Sequence, residues 1–246
     1  MIQEQTIAKL HRLKLSGMAQ ALVEQLQGTN YNELSFEERL GLLVDRESTE
    51  RDNRRLTCLL RGAKLRYAGA CPEEIDFRTP RGLSRDAVLS LLQNGWIAAK
   101  QNVIITGPTG TGKTFLSCAL GNSACRAGMS THYIRLPRLL QEMHIARADG
   151  SYGKLLTRLA RFTVLIIDDW GLAKLSDRER RDILEVLEDR HGISSTIVSS
   201  QIPVEKWHDI IGDPTIADAV LDRLIHNAHP VTMKGESMRK LQTKNK

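Results

Sequence analysis

Val103-Ile-Ile-Thr-Gly-Pro-Thr-Gly-Thr-Gly-Lys-Thr114 combines an apolar run with a glycine-rich loop, and this combination is the main sequence evidence for the fold. It begins with a short β-branched run, and an apolar helical pattern follows it from Phe115. A strand, then G-x-x-x-x-G-K-[ST], then a helix is the arrangement of loops that bind nucleotide phosphates. A glycine-rich turn can match these letters by chance, but the flanking strand and helix favour a nucleoside triphosphate site.

The residue types in this loop suit a polyphosphate ligand. The loop glycines can adopt backbone angles that a β-carbon disfavours, so successive N–H groups can turn towards the phosphates. Lys113 is predicted to reach the β- and γ-phosphates, and the Thr114 hydroxyl to bind Mg²⁺. The predicted nucleotide-binding residues are Gly107, Pro108, Thr109, Gly110, Thr111, Gly112, Lys113, Thr114 and Phe115.

A second motif is the apolar run Thr163-Val-Leu-Ile-Ile, which ends in Asp168 and Asp169. Buried parallel strands have this composition, and their carboxyl ends face ligands in α/β sheets. We predict that Asp168 holds the Mg²⁺ ion and that Asp169 orients or deprotonates the attacking water. The alternative is that the two carboxylates cap the helix that follows.

The run Ser195-Thr-Ile-Val-Ser-Ser-Gln201 predicts another strand with a polar end. It is expected to lie beside the acid-tipped strand, with Ser200 and Gln201 near the γ-phosphate. His226 and His229 are three residues apart, but Pro230 ends any helix there, so we do not expect them to bind a metal.

The composition sets limits on the class of protein. The chain of 246 residues is long enough for one large α/β domain and a smaller one. No apolar run reaches the roughly 18 residues of a membrane span, and the four cysteines show no C-x-x-C spacing, so we expect a reduced, cytoplasmic protein without zinc. A net charge of +6 hints at a polyanionic partner.

The pattern predicts two domains, a helical one over 1–70 and an α/β one over 71–246 with a basic tail. Within the first, 51–66 carries six basic residues against one acid. This stretch either contacts DNA phosphates or forms an ordinary solvated helix face. In the connector, Phe77 either stacks on the nucleotide base or anchors the chain.

The order of these motifs resembles that of AAA+ ATPases, whose sheet has one strand between the phosphate-loop strand and the acid-tipped strand in sequence. Residues 76–240 resemble the IstB family of transposition-helper ATPases, relatives of the DnaC-type helicase loaders. The runs that carry this resemblance are 102–114, Leu165-Ile-Ile-Asp-Asp-Trp-Gly, Leu184-Glu-Val-Leu-Glu-Asp-Arg, Ser199-Ser-Gln-Ile-Pro-Val-Glu-Lys-Trp207, Ala217-Asp-Ala-Val-Leu-Asp-Arg-Leu-Ile-His-Asn-Ala-His229 and Gly235-Glu-Ser-Met-Arg239.

The resemblance implies a parallel sheet sandwiched by helices, an ATPase activity and ATP with Mg²⁺ as cofactors. It also implies a bacterial homo-oligomer that binds double-stranded DNA and recruits and stimulates a transposase. Arg223 corresponds to the arginine that completes the ATP site of a neighbouring subunit. The family pattern thus adds Arg223 to the predicted catalytic residues Lys113, Asp168, Asp169, Ser200 and Gln201.

Two departures from the AAA+ pattern carry expectations of their own. Asp169 stands where most AAA+ proteins have glutamate, and its shorter side chain predicts slow hydrolysis. The family resemblance implies that DNA stimulates this hydrolysis. Too few residues follow Arg223 for the usual helical lid, so Arg239 is predicted either to contact the nucleotide or to do something else. The alternatives are a helicase loader, a small-molecule P-loop kinase, or a DNA-binding scaffold with a structural ATP site.

Overall fold

The computed structural model describes residues 2–238. The chain forms two compact units, the first ending at Cys58 and the second beginning at Leu59. The helices of the first unit are α1 (Ile2–Arg12), α2 (Ser16–Gln27) and α3 (Phe36–Ala63), the last of which continues across the boundary. The predicted helical character of the N-terminal region is confirmed, whereas the boundary near residue 70 stays a prediction.

Side-chain caps hold the ends of these helices. Ser35-Phe-Glu-Glu38 has the spacing of a capping box, and in the structure Ser35 and Glu38 each accept from the other's backbone N–H at the start of α3. The Glu47 carboxylate in α3 accepts from the N–H groups of Gly17 and Met18, at 2.8 and 3.2 Å. A β-carbon at Gly17 would clash with the α3 backbone, so the glycine permits the close approach of α2.

The second unit alternates helices and strands in the way the sequence predicts. Its helices are α4 (Arg85–Leu92), α5 (Gly95–Ala98), α6 (Lys113–Arg126), α7 (Leu136–Ala148), α8 (Tyr152–Ala160), α9 (Asp177–Glu188), α10 (Trp207–Ile211) and α11 (Pro214–Ile225). Its strands are β1 (Asn102–Thr106), β2 (Thr131–Arg135), β3 (Val164–Trp170), β4 (Ser195–Ser200) and β5 (Ala228–Thr232).

The five strands form one parallel sheet in the order β2-β3-β4-β1-β5. Successive strand residues point to opposite faces, so the sheet contributes to two separate apolar cores. One core packs the sheet against α7, α8, α9, α10 and α11, and the other packs it against α4, α5 and α6. This confirms the predicted α/β class, with the acid-tipped strand β3 between β2 and β4.

Two elements differ from the sequence-based expectation. The sequence pattern predicts one helix from about Ser84 to Ala99, but the structure divides it, because Asn94 adopts a left-handed conformation between α4 and α5. Strand β5 was not predicted, since it contains Pro230. Proline cannot donate to a sheet ladder, but β5 lies at the edge of the sheet, where a missing N–H is tolerated.

The region after β5 has no helical lid among the residues that the structure describes. Residues 233–238 instead run back over the phosphate loop, and the Met238 N–H donates to the Gly110 carbonyl at 2.9 Å. No helix within 2–238 combines the length and the apolar character that a membrane span requires.

A buried arginine, Arg190, bonds to carbonyls in α8, in the loop before β3 and at the start of β4. Arg190 is 1% exposed, and its guanidinium donates to the carbonyls of Leu159, Phe162 and Ser195 at 2.7, 2.8 and 2.5 Å. Burial lowers its pKa to about 9. We expect Arg190→Met to lower the free energy of unfolding by about 3 kcal/mol or more, because each orphaned buried carbonyl costs roughly 1–3 kcal/mol.

Urea unfolding followed by tryptophan fluorescence measures this loss, because Trp96, Trp170 and Trp207 are all buried in the second unit. The matched control is Arg178→Met in the exposed first turn of α9, with an expected change below about 0.5 kcal/mol. Equal stability of the two variants would mean that the three carbonyls do not need Arg190.

Candidate nucleotide site

A cavity of about 500 Å³ opens at the carboxyl edge of the sheet in the second unit. The phosphate loop, the start of α6 and the ends of β3 and β4 line one part of it. The chain after α3 and the connector before α4 line the other part, with Arg66, Tyr67 and Asp76. The sheet topology therefore brings the two predicted motifs and the connector to one place.

The backbone of the phosphate loop depends on its glycines. Gly107, Gly110 and Gly112 all have φ between 86° and 149°, a region that β-carbons disfavour. A β-carbon at Gly107 would meet the Met233 carbonyl, and one at Gly110 would meet the Ser237 side chain. These glycines thus serve the loop conformation and also its contact with 233–238.

Lys113 lies inside the loop, where its Nζ donates to the carbonyls of Gly107 and Pro108 at 2.8 and 2.9 Å. Burial lowers the pKa of this ammonium group, and the nearby Asp168 and Asp169 oppose that shift. Its position at the first residue of α6 puts a cation beside the N–H groups of a helix N-terminus. This arrangement attracts a phosphate.

Asp168 is 1% exposed and accepts hydrogen bonds from three hydroxyls. Its Oδ2 accepts from Thr114 at 2.9 Å and from Tyr133 at 2.7 Å, and its Oδ1 accepts from Ser199. A carboxylate and a hydroxyl in contact are hard oxygen donors of the kind that Mg²⁺ takes together with substrate phosphates and water. The donor set therefore fits the predicted ion.

This pair would not form a closed metal site by itself. Within 2–238 no group of three or more His, Cys, Asp or Glu side chains could hold a metal ion. Magnesium sites built from one or two protein groups are completed by the phosphates of a nucleotide. Thr114 and Asp168 would therefore hold a Mg²⁺ ion only together with a bound nucleotide.

Asp169 has a left-handed backbone, with φ of 60°, at an irregularity in the β3–β4 pairing. Its side chain lines the cavity, and its Oδ2 accepts from Arg135 Nε at 2.5 Å. The irregularity turns Asp169 away from the regular strand alternation, so both acids reach the same cavity. The predicted catalytic carboxylate is thus paired with an arginine at the end of β2.

The two predicted residues after β4 have different surroundings. The Gln201 Oε1 accepts from the Thr109 hydroxyl at 2.6 Å, which ties it to the phosphate loop. The Ser200 hydroxyl donates to the Trp170 carbonyl at 2.8 Å and accepts from the Ile202 N–H. Both residues line the cavity, and their contact with a γ-phosphate stays a prediction.

Sequence reasoning missed Arg81, which is 5% exposed and lines the cavity. Its guanidinium donates to the Thr111 carbonyl at 3.0 Å and to the Asp76 carbonyl at 2.5 Å. Burial lowers its pKa, and Asp76 partly offsets this. Arg81 thus links the connector to the phosphate loop, and no motif in the sequence marks it.

The aromatic residues near the cavity are Tyr67 and Phe115, whose ring centroids are 6.3 Å apart. Phe77 is not among the residues that line it. It packs instead against the core beneath α4. The structure therefore favours the anchoring interpretation of Phe77, and the aromatic face of the cavity comes from the other two residues.

Arg223 lies far from the cavity of its own chain. The carbonyls of Arg223 and Leu224 accept from Asn102 Nδ2 at 2.9 and 3.1 Å, and Asn102 begins β1 at the edge opposite the phosphate loop. The Arg223 guanidinium donates to the Glu188 carboxylate, which lowers the pKa of Glu188. The predicted nucleotide contact Arg239 lies outside the described residues.

The basic stretch of α3 is partly neutralised by its own helix. Arg51 pairs with Glu47 at 2.8 Å and Arg54 pairs with Glu50 at 3.0 Å, each one turn away. The Arg54–Glu50 pair is exposed and contributes little energy, whereas Glu47 is buried and also accepts from two backbone N–H groups. Both interpretations of this surface, DNA contact and solvated face, therefore stay open.

Comparison with known proteins agrees with the architecture. A protein-family model described as "IstB-like ATP binding protein" matches residues 8–246. A Sinorhizobium fredii relative named an insertion sequence ATP-binding protein is 48% identical over 242 residues, covering 98% of each chain. A Pseudomonas fluorescens relative named as the ATP-binding protein of insertion sequence IS1162 is 50% identical over 203 residues, covering 82% of this chain and 88% of the relative.

Among solved structures, DnaI superposes with a TM-score of 0.59. The two chains are 19% identical, and the match covers 67% of this chain and 91% of DnaI. At this identity the likeness concerns the fold alone. It agrees with the α/β class of the second unit.

Proposed function

The chain belongs to the IstB-like ATP-binding protein family, and we propose that it is a DNA-dependent ATPase that helps a transposase act on an insertion sequence. It binds ATP with Mg²⁺, assembles into a homo-oligomer on double-stranded DNA and recruits the transposase. ATP hydrolysis is slow and ends the assembled state. The relatives that are named as insertion sequence ATP-binding proteins support this role.

The observation that carries the nucleotide part is the contact between two distant motifs. Thr114 follows the phosphate-loop lysine, and its hydroxyl donates to Asp168 at the end of β3. The two groups lie beside Lys113 at the mouth of one cavity, so a cation bound there can bridge protein and triphosphate. When bound, Mg²⁺ neutralises charge on the phosphates during transfer.

Asp169 then acts on the attacking water. In the arrangement described above its carboxylate is held by Arg135, and both side chains line the cavity. Arg135 is half-exposed, so this pair can open at small cost when a phosphate competes for the arginine. Lys113 binds the phosphates, Gln201 and Ser200 sense them from β4, and Asp169 positions the water.

The assembly part rests on the separation of Arg223 from the cavity of its own chain. An arginine at the edge opposite the phosphate loop cannot serve that loop, whereas a neighbouring subunit can present its own arginine there. The contact with Glu188 holds Arg223 at the surface between α9 and α11. ATP hydrolysis is therefore coupled to assembly.

The remaining part of the proposal is that the protein binds DNA mainly through contacts with the DNA phosphates. We expect affinity for a duplex, measured by fluorescence anisotropy with ATP present, to fall steeply with salt and to vary little with sequence. Charge reversal at Arg54 and Arg55 should weaken binding and reduce the salt slope. Replacing both with lysine, which keeps the charge, is the matched control.

A salt slope near zero, or a strong preference for one sequence, would contradict phosphate-dominated binding. Unchanged affinity after charge reversal would assign this stretch of α3 to the solvated surface and move the DNA contacts elsewhere. Co-purification of the transposase encoded by the same insertion sequence with the ATP-bound protein, and its loss with ADP, tests recruitment.

A further inference from the structure

Tyr133 contacts Asp168, the predicted Mg²⁺ ligand, but has no role in the mechanism proposed above. It lies two residues before the end of β2, is 8% exposed and donates its hydroxyl to Asp168 Oδ2 at 2.7 Å. It pairs with Ile166 in the sheet register, so its side chain is on the face of β3 that carries Asp168. The ring packs in the core against α6, which limits its freedom to turn away.

The direction of the hydrogen bonds at this phenol is fixed by its two neighbours. An ionised carboxylate can only accept, so Tyr133 donates to Asp168. Arg66 can only donate, and the neighbouring Tyr133 hydroxyl raises the pKa of Arg66. Burial, together with the contact to Asp168, raises the pKa of Tyr133 well above its ordinary value, so the phenol keeps its proton.

Three hydroxyls from three elements therefore define the plane of the Asp168 carboxylate. Tyr133 comes from β2 and Ser199 from β4, the two strands that flank β3, and Thr114 comes from α6. Of these, only Thr114 is a predicted ligand of the cation. The other two hydroxyls hold the carboxylate in place when Thr114 turns to the ion.

We propose that Tyr133, held by Arg66, is a positioning residue that orients the Asp168 carboxylate for a divalent cation bound with the nucleotide. This inference rests on the proposed ATPase function and deepens it. Groups that orient a metal ligand from behind typically contribute 10–100-fold in metal affinity or activity. The contribution comes from pre-orientation, because a free carboxylate would have to be fixed each time an ion binds.

The test is Tyr133→Phe in the full chain, which removes the hydroxyl and keeps the ring. Binding of a fluorescent ATP analogue is titrated with Mg²⁺, after a first measurement in EDTA. We expect nucleotide affinity in EDTA to stay within about twofold of wild type. The Mg²⁺ concentration for half-maximal enhancement should rise about tenfold or more.

Tyr152→Phe is the matched control. The Tyr152 hydroxyl lies within hydrogen-bond distance of the Asp182 and Glu185 carboxylates, at 3.0 and 2.8 Å, and can donate to either one; it is on the opposite face of the sheet and away from the cavity. It should leave both the EDTA and the Mg²⁺ measurements unchanged. A Mg²⁺ shift in Tyr133→Phe equal to that in Tyr152→Phe would overturn the inference.

Arg66→Gln is a second variant, chosen because Arg66 is exposed and its loss does not threaten folding. It should shift the Mg²⁺ midpoint in the same direction by a smaller factor, and Arg66→Lys should recover part of the shift. The double variant with Tyr133→Phe should be no worse than Tyr133→Phe alone, because Arg66 acts through the phenol. Additive shifts would overturn the role of Arg66.

Failure of this inference and failure of the proposed function look different. If wild-type nucleotide binding does not respond to Mg²⁺ at all, the proposed ATPase site is wrong. If wild type responds and both Tyr133→Phe and Arg66→Gln match it, the site stands and Tyr133 has no positioning role.

Discussion

Arg223→Ala is expected to bind ATP as wild type does and to hydrolyse it on the order of 10³–10⁵-fold more slowly. A guanidinium delivered to the transferring phosphoryl group stabilises the charge that develops there, and rate effects of this size accompany its loss in other phosphohydrolases. Arg223 is at the edge of the sheet opposite its own phosphate loop, so its removal leaves the loop, Lys113 and Asp168 intact.

Mixing two inactive variants tests whether the protein hydrolyses ATP as an assembly or as a monomer. Lys113→Ala should fail to hydrolyse ATP because the charge facing the β- and γ-phosphates is lost. In a mixture with Arg223→Ala, some interfaces pair an intact loop with an intact arginine, so part of the activity should return. Steady-state ATP turnover with duplex DNA present measures it.

Two results would contradict a shared site. A mixture as inactive as its parents, under conditions in which they co-assemble by analytical ultracentrifugation, argues against completion between subunits. Full activity of Arg223→Ala alone would remove this residue from the mechanism. Arg178→Ala, another arginine of the same unit and exposed on α9, is the control for a general effect of lost charge.

Asp169→Asn is expected to retain ATP binding and to lose about 10²–10⁴-fold in turnover. Asparagine keeps the shape of the side chain and tolerates the left-handed backbone at φ of 60°, whereas alanine would add backbone strain. The amide cannot accept a proton from water, so only the chemical step should suffer. Nucleotide binding and single-turnover hydrolysis, measured on the same preparation, separate the two effects.

Lys113→Ala is expected to differ from Asp169→Asn, because it should lose nucleotide binding as well as turnover. Asp177→Asn in the exposed first turn of α9 is the control for the change of charge. Normal single-turnover hydrolysis by Asp169→Asn would show that another group positions the water. Loss of ATP binding in Asp169→Asn would instead assign Asp169 to the phosphate or metal contacts.

Those parts of the site that depend on local sequence were predictable. The phosphate loop needs a strand, glycines and a helix within about a dozen residues, and the acid-tipped strand is one apolar run. Each carries its signal in a single stretch of the chain. The carboxyl ends of parallel strands meet at one edge of a sheet, which is why Thr114 and Asp168 could be expected to lie close together.

The site residues that the sequence did not predict depend on strand register and on contacts between segments that are distant in sequence. Tyr133 meets Asp168 only because β2 and β3 pair Arg135 with Asp168, and one step of slip would turn Tyr133 to the other face. Ser199 was not predicted, although its neighbour Ser200 was, because strand register decides which of the two side chains contacts Asp168. Arg81 reaches the phosphate loop across thirty positions of sequence, and no periodicity reports such a contact.

The path of residues 233–238 over the phosphate loop also has a consequence during synthesis. Domains fold as the ribosome extends the chain, N-terminal parts first. The loop emerges long before Met233, Ser237 and Met238, which pack on Gly107 and Gly110. A nascent chain can therefore form its helical first unit while the nucleotide cavity still lacks one wall. Met238 is therefore the last of the residues that line the cavity to be synthesised.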